Sequence, residues 1–142
     1  MTKDKSETSI EEANRYLENS RTILKKVPVE EETYLDIKPV REAFGTAYLA
    51  VLEAINAALI AKGLTKKDLP KSVDGYRASL RKHLVVHDGK LLREFEKLYD
   101  LLHIAGYYRA LIYDTQVVKD ALKVAEKFIE KLGKGIDNKS MK

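Results

Sequence analysis

The sequence predicts an all-α fold, an antiparallel up-and-down bundle of four long helices plus a short helical turn. Every long apolar pattern in the 142-residue chain repeats with a period near 3.6 residues, as in amphipathic helices. No segment alternates apolar and polar residues long enough to indicate a strand. The chain has only 7 Gly and 3 Pro, too few for the tight turns of a β-rich fold. We expect one domain of residues 1–133, followed by a disordered basic tail of residues 134–142.

The first two helices are predicted from their ends and their apolar faces. Helix one is expected over about residues 9–26, because Pro28 prevents it from continuing. Helix two is expected over about residues 37–62, with Asp36 as N-cap and Gly63 as the residue that ends it. Helix two is apolar over most of its circumference, which predicts that it is the central helix.

The remaining elements are more interrupted. Helix four is expected to begin near Leu91 and to reach Ala105, and a continuation through Gly106 to Ile112 is open because glycine weakens a helix. The other expected elements are a short capped turn, helix three with Ser72 as its N-cap, and helix five, at about residues 65–70, 73–87 and 116–132. Helix five is predicted to end at Gly133.

The composition excludes several classes of function. The chain has no Cys, so it has no disulfide framework, no thiol nucleophile and no Cys-based zinc or iron–sulfur site. It also lacks the P-loop, the dinucleotide-binding glycine motif and the motifs of zinc proteases and serine hydrolases. No cofactor is therefore predicted. The formal net charge of +4 comes from interleaved charges, which predict an ordinary soluble surface.

The expected location is the cytoplasm, without membrane association. The N-terminal residues are polar and charged, so no signal peptide is predicted. The most apolar stretch, residues 47–61, is interrupted by Glu53 and Asn56 and is too short by itself to span a bilayer.

Three sequence runs resemble a known superfamily. Residues 47–55 read AYLAVLEAI and are followed by AKG, residues 105–107 read AGY, and residues 120–129 read DALKVAEKFI. In order and spacing these runs resemble the second helix, the A-D-Y stretch and the last helix of a bacterial branch of HEPN domains, the higher-eukaryote and prokaryote nucleotide-binding bundles. The resemblance covers roughly residues 40–132 and implies a HEPN-like helical bundle.

The polar positions of the chain depart from the HEPN pattern. Many HEPN domains are RNases that use an Arg followed four to six residues later by a His, and others of this branch carry an Arg just before A-D-Y. Here that Arg position aligns with Leu102 or His103, and the Asp aligns with Gly106. The family's helix-two His aligns with Glu53, and its T-H pair aligns with residues 72–73. The resemblance therefore implies the scaffold without its usual catalytic residues.

Arg77 and His83 fit the Arg-to-His spacing of the HEPN RNases. In such an enzyme the guanidinium holds the scissile phosphate while the imidazole transfers a proton. Six residues on a regular helix place the two side chains about 120° apart, so they would converge only across a kink. The favoured interpretation is an exposed Arg and a His at the core boundary. His83 and His87 have the spacing of metal ligands. Asp88 and His103 are candidates for a third ligand only by proximity in sequence, and no metal is predicted.

Arg109 is the anomalous residue of predicted helix four. If the helix continues past Gly106, Arg109 falls at the centre of the apolar stripe, where a cation needs a carboxylate such as Glu53 or a ligand anion. If the helix turns at Gly106, Arg109 is exposed. We predict the first case, with Arg109 substantially buried and paired with a carboxylate, for which Glu53 is the candidate. Tyr107 and Tyr108 beside Arg109 could stack bases, although tyrosines are more common at helix crossings or a dimer seam.

The sequence favours a non-catalytic binding or interaction module of HEPN-like fold, which forms a homodimer or binds a partner protein. Two alternatives are an RNA-cleaving enzyme with a displaced Arg77/His83 pair, and a nucleotide or nucleic-acid binder that uses Arg109 and its neighbouring tyrosines. No catalytic residue is predicted. The candidate ligand-binding residues are Arg109, Tyr107, Tyr108, Glu53, Arg77 and His83.

Overall fold

The computed structural model describes residues 5–84 and 89–140 of the chain. The chain is 79% helical, with 4% in strands, which confirms the predicted all-α class. The α-helices are α1 (Lys5–Lys25), α2 (Ile37–Ala61), α3 (Val73–Ser79), α4 (Lys90–Leu98) and α5 (Thr115–Ser140). A first π-helical segment (Leu80–Leu84) continues α3, and a long π segment (Tyr99–Tyr108) continues α4. A 3-10 turn, Lys66–Asp68, follows α2.

Helix α2 is the central helix, as predicted. Helices α1 and α5 and the long π segment all pack against it. Asp36 caps its N-terminus by accepting a hydrogen bond from the Lys38 amide at 3.2 Å. Gly63 follows the helix with a φ of 104°, a conformation that favours glycine.

By length and composition, α2 could cross a membrane. Its most apolar 18-residue window has a mean hydropathy of 1.6, and 61% of that window is buried inside the protein. Residues 47–61, which are too short to span a bilayer, belong to this longer helix of 25 residues. Its burial, rather than its length, identifies α2 as a core helix.

The connector between α1 and α2 forms a β-hairpin that the apolar pattern does not predict. Strand β1 (Val29–Glu30) pairs antiparallel with β2 (Thr33–Tyr34). Glu31 and Glu32 form the loop with φ values of 49° and 64°, the left-handed pair typical of a two-residue hairpin turn. Backbone hydrogen bonds join this hairpin to the segment before α5, from the Tyr34 amide to the Tyr113 carbonyl and from the Thr115 amide to the Glu32 carbonyl, each at 2.9 Å.

Helices three and four differ from the regular helices that were expected. Helix three is α-helical only to Ser79 and π-helical to Leu84, and residues 85–88 lie outside the described part of the chain. The helix that starts with α4 continues through Gly106, but as a π-helix of 10 residues. The Arg109 amide accordingly reaches back to the Ile104 carbonyl at 2.8 Å, the five-residue spacing of a π-helix.

The long π segment and α2 approach closely at two glycines. A Cβ on Gly45 would lie 2.9 Å from Cδ1 of Tyr107, and a Cβ on Gly106 would overlap the ring of Phe44. Each helix thus places an aromatic ring over a glycine of the other. We call these four residues the ring–glycine contact.

Helix α5 is longer than the sequence predicts. It passes through Gly133 and Gly135 to Ser140, so the expected helix end at Gly133 is wrong. The reason is that Ile136 extends the apolar face by one turn beyond Leu132 and is only 7% exposed. Burial of this side chain offsets the weak helix propensity of the two glycines.

Candidate functional site

One face of the long π segment carries a row of stacked rings. Tyr99 and His103 have ring centroids 5.4 Å apart, and His103 and Tyr107 have centroids 5.9 Å apart. Tyr48 of α2 packs beside them, with its ring centroid 4.8 Å from that of His103. We call these four residues the aromatic row. Offset ring pairs at such distances add to the stability of the contact between α2 and the π segment.

An arginine lies at each end of the aromatic row. The Arg77 guanidinium is 5.2 Å from the ring centroid of Tyr99, and the Arg41 guanidinium is 5.6 Å from that of Tyr107. Both distances are within the range of cation–π attraction. Arg41 Nε also donates a hydrogen bond to the Tyr107 carbonyl at 2.8 Å, which satisfies an acceptor at the end of the π segment.

The interior of the aromatic row is protected from solvent. Tyr48 is 9% exposed, and burial raises its pKa to about 12. Its phenol therefore stays neutral at physiological pH. Tyr99 and His103 are half-buried. The row is consequently a packed element whose accessible end is Tyr107.

Arg77 is held by two carboxylates. Its Nε donates to both oxygens of Glu96 at 2.8 and 3.0 Å, and its Nη1 donates to Asp74 Oδ1 at 2.8 Å. The hydrogen bonds to Glu96 and then to Asp74 raise the pKa of Arg77. This guanidinium links α3 to α4 and is paired with both carboxylates.

His83 lies in different surroundings from Arg77. It is half-buried beside a pocket of about 510 Å³ that faces the turn after α2. Asp68 also lines this pocket, and hydrogen bonds from the Thr65 backbone and side chain lower the pKa of its carboxyl. Arg77, in contrast, is bound by Glu96 and Asp74, so the two residues of the alternative Arg77/His83 site lie in different surroundings. Within residues 5–84 and 89–140 no group of His, Asp and Glu could hold a metal ion, and His87 lies outside these ranges.

Arg109 is exposed, so the prediction of a buried Arg109 paired with Glu53 is wrong. It forms no ion pair with any residue that the structure describes. The reason is the helix geometry: a π-helix turns through a smaller angle per residue than an α-helix, so the 3.6-residue stripe does not extend to position 109. Glu53 is half-buried on α2. The pKa of Tyr76 is raised mainly by the burial of Tyr76 itself and, to a smaller extent, by the charge of Glu53.

Arg109 lies in a short segment with several exposed large side chains. The chain turns at Ala110, with a φ of 52°, and then runs to the β-hairpin. We define the tyrosine surface as this segment and its hairpin neighbour; its large side chains are Leu35 (58% exposed), Tyr107 (41%), Tyr108 (70%), Leu111 (59%) and Tyr113 (52%). Of the predicted candidates, the structure brings together Arg109, Tyr107 and Tyr108 here. It places Glu53, Arg77 and His83 elsewhere.

Sequence reasoning missed most of the aromatic row. Tyr48, Tyr99 and Arg41 were not candidates, and His103 was considered only as a metal ligand and as an aligned position. A signal exists, because Tyr99, His103 and Tyr107 follow one another at four-residue spacing, which places rings on one helix face. The contribution of α2 has no such signal, since Arg41 and Tyr48 reach the row only through helix packing.

The fold and the site define a helical protein that exposes the tyrosine surface and contains the aromatic row, whose rings stack on one another. Residues 8–134 match the family described as a domain of unknown function (DUF5618), and the chain belongs to that family. Among solved structures, a protein of unknown function from Dyadobacter fermentans is similar, with 30% sequence identity and a TM-score of 0.74. The similarity covers 92% of this chain and 98% of that protein. No curated protein matches the chain.

Proposed function

We propose that the protein is a non-catalytic interaction module of HEPN-like fold that forms a homodimer through its tyrosine surface. The observation that carries this proposal is the exposure of five large apolar side chains at the end of the long π segment and beside it. Four of the five lie within residues 107–113, and large apolar side chains exposed together are typical of a protein interface. The three runs that resemble HEPN domains fall on α2, the long π segment and α5, which supports the HEPN-like assignment.

The absence of catalysis is inferred from the state of Arg77. Its guanidinium is hydrogen-bonded to Glu96 and Asp74. His83 lines a pocket that Arg77 does not line. An RNase site needs both groups around one phosphate. We therefore expect no RNA cleavage, and cleavage that disappears in a folded His83→Ala variant would contradict this proposal.

The composition of residues 107–113 favours a second copy of the chain as the partner. The segment contains three Tyr and one Arg but no Lys, Asp or Glu, in a chain with 34% charged residues. Tyr and Arg are enriched in interface cores, where Lys, Glu and Asp are depleted. A two-fold interface must be self-complementary, and this segment carries both partners of a cation–π pair, Arg109 and its neighbouring tyrosines.

Light scattering on a sizing column tests the proposal directly. The wild-type protein should have the mass of a dimer at micromolar concentration, and Tyr108→Glu should have the mass of a monomer with unchanged helix content. Val124→Glu is the matched control, because Val124 is also an exposed apolar residue, at 47%, but lies on α5. A monomeric wild type, or a Tyr108→Glu variant that remains dimeric, would refute the tyrosine surface as a dimer interface.

The exposed Arg109 beside Tyr108 supports a second candidate, nucleotide or RNA binding by charge and base stacking. The ratio of absorbance at 260 and 280 nm of the purified protein detects copurified nucleic acid. Fluorescence polarisation with a labelled RNA oligonucleotide measures binding. If this candidate is correct, Arg109→Leu should remove the binding while the helix content stays unchanged.

A further inference from the structure

A second surface feature, separate from the tyrosine surface, is a groove of about 520 Å³ between the C-terminal half of α1, the β-hairpin and the first turns of α5. Its volume is within the range of small-molecule sites, about 300–1,000 Å³. Nothing in the homodimer proposal uses it.

The floor of the groove is apolar. Leu24, Val27 and Leu122 line it, and each of them is otherwise buried, with exposures of 7%, 7% and 3%. These side chains belong to the hydrophobic core and present one side to the groove. An aliphatic or aromatic group in the groove would therefore be removed from water against core residues, which is the main favourable term in binding such a group.

The rim of the groove is cationic. Arg21, Lys25 and Lys119 line it, and no Asp or Glu does. Arg21 is paired with Glu126 at 2.9 Å, whereas Lys25 and Lys119 are exposed and make no ion pair with any described residue. The rim therefore keeps two uncompensated positive charges beside an apolar floor.

Tyr34 adds a polar group to this groove. The side chain is 8% exposed, and its hydroxyl has no hydrogen-bond partner among the described residues. No fully buried side-chain oxygen or nitrogen of the described residues lacks a partner, so this hydroxyl is reached by solvent and is open to a hydrogen bond with a ligand.

We propose that the groove binds a small amphipathic anion, with an aliphatic chain on the floor and a carboxylate at the lysine rim. The apolar floor favours the aliphatic part of the ligand, and the two lysines without ion pairs favour its negative charge. The Tyr34 hydroxyl is a further donor for an oxygen of the ligand. Neither the floor alone nor the rim alone would distinguish this ligand from a neutral lipid or an inorganic anion.

Isothermal titration calorimetry with the full chain tests the proposal, with octanoate as the probe and octan-1-ol as its neutral counterpart. We expect octanoate to bind with one site per chain and octan-1-ol to bind at least tenfold more weakly. The affinity for octanoate should fall as the salt concentration rises, because the lysines are exposed. No octanoate binding at millimolar concentration, or equal affinity for the two probes, would overturn the proposal.

Two variants, each with a control, test whether octanoate binds in the groove. Lys25→Glu combined with Lys119→Glu should weaken octanoate binding at least tenfold, and Lys123→Glu, an exposed residue of α5 outside the groove, should leave it unchanged. Val29→Trp should fill the groove and abolish binding, because Val29 lines it and is 51% exposed. Val124→Trp is the matched control for added bulk. Octanoate binding that survives Val29→Trp in a protein of unchanged helix content would refute the groove as the site.

Discussion

The ring–glycine contact predicts that Gly106→Ala destabilises the protein, although alanine is the better helix former. Gly106 is buried, and a Cβ at this position would lie 2.7 Å from Cδ2 of Phe44 and closer still to the ring's Cγ. Phe44 is itself only 1% exposed, so its ring is enclosed by the core and cannot move out into solvent. The substitution must therefore separate α2 from the long π segment or force a strained rotamer.

The magnitude follows from two opposing effects. Overpacking a closely packed core costs about 1–3 kcal/mol, and we expect the upper part of this range because three ring atoms are overlapped. Replacing a helical glycine with alanine contributes about 1 kcal/mol in the opposite direction. The free energy of unfolding should therefore fall by about 2 kcal/mol.

Urea unfolding followed by circular dichroism measures this change. Gly135→Ala is the matched control, because Gly135 is also helical but has no atom within 4 Å of its Cβ position; it should be stabilising by up to about 1 kcal/mol. A double variant with Phe44→Leu should recover part of the loss, since the overlap involves the ring. If Gly106→Ala is as stable as the wild type, the close approach of the two helices is wrong.

Three further outcomes are expected from the geometry of single residues. Arg109→Leu should change the free energy of unfolding by less than about 0.5 kcal/mol, because the side chain is exposed and unpaired; a loss above 1 kcal/mol in urea would indicate a buried partner. Glu31→Asn with Glu32→Gly should stabilise the protein by about 1 kcal/mol in thermal unfolding, because these residues suit the left-handed turn, and no gain would contradict the turn geometry. Tyr48 has a pKa of about 12 in the folded protein against 10.0 for a free phenol, so its contribution to stability is complete below pH 10 and is lost as the pH rises towards 12. Unfolding experiments should show a smaller loss between pH 10 and 12 for Tyr48→Phe than for the wild type.

Elements whose structure is encoded locally were predictable from the sequence. Asp36 and Ser72 were identified as N-caps, and each side chain accepts a backbone hydrogen bond at the start of its helix. The central position of α2 followed from apolar residues around most of its circumference. These signals are local, because capping and periodicity depend on residues within one or two turns.

The features that sequence reasoning missed depend on tertiary contacts. The β-hairpin has Glu31 and Glu32 where a turn signature would have Asn and Gly, and it is supported by hydrogen bonds from the distant segment before α5. The spacing of apolar residues does not reveal that α4 continues as a π-helix. The exposure of Arg109 therefore could not be predicted from the 3.6-residue periodicity of helix four. The same limit applies to the aromatic row, because Tyr48 joins it, and Arg41 lies at its end, from another helix.

The ring–glycine contact also has a consequence for folding kinetics. Phe44 and Gly45 meet Gly106 and Tyr107 only when two helices that are distant in sequence have reached their final register. We therefore expect this contact to be absent from the transition state for folding, with φ-values near zero at Gly45 and Gly106. Changes there should accelerate unfolding and leave the folding rate nearly unchanged. On this basis, the lifetime of the native protein is governed by how rarely these two helices separate.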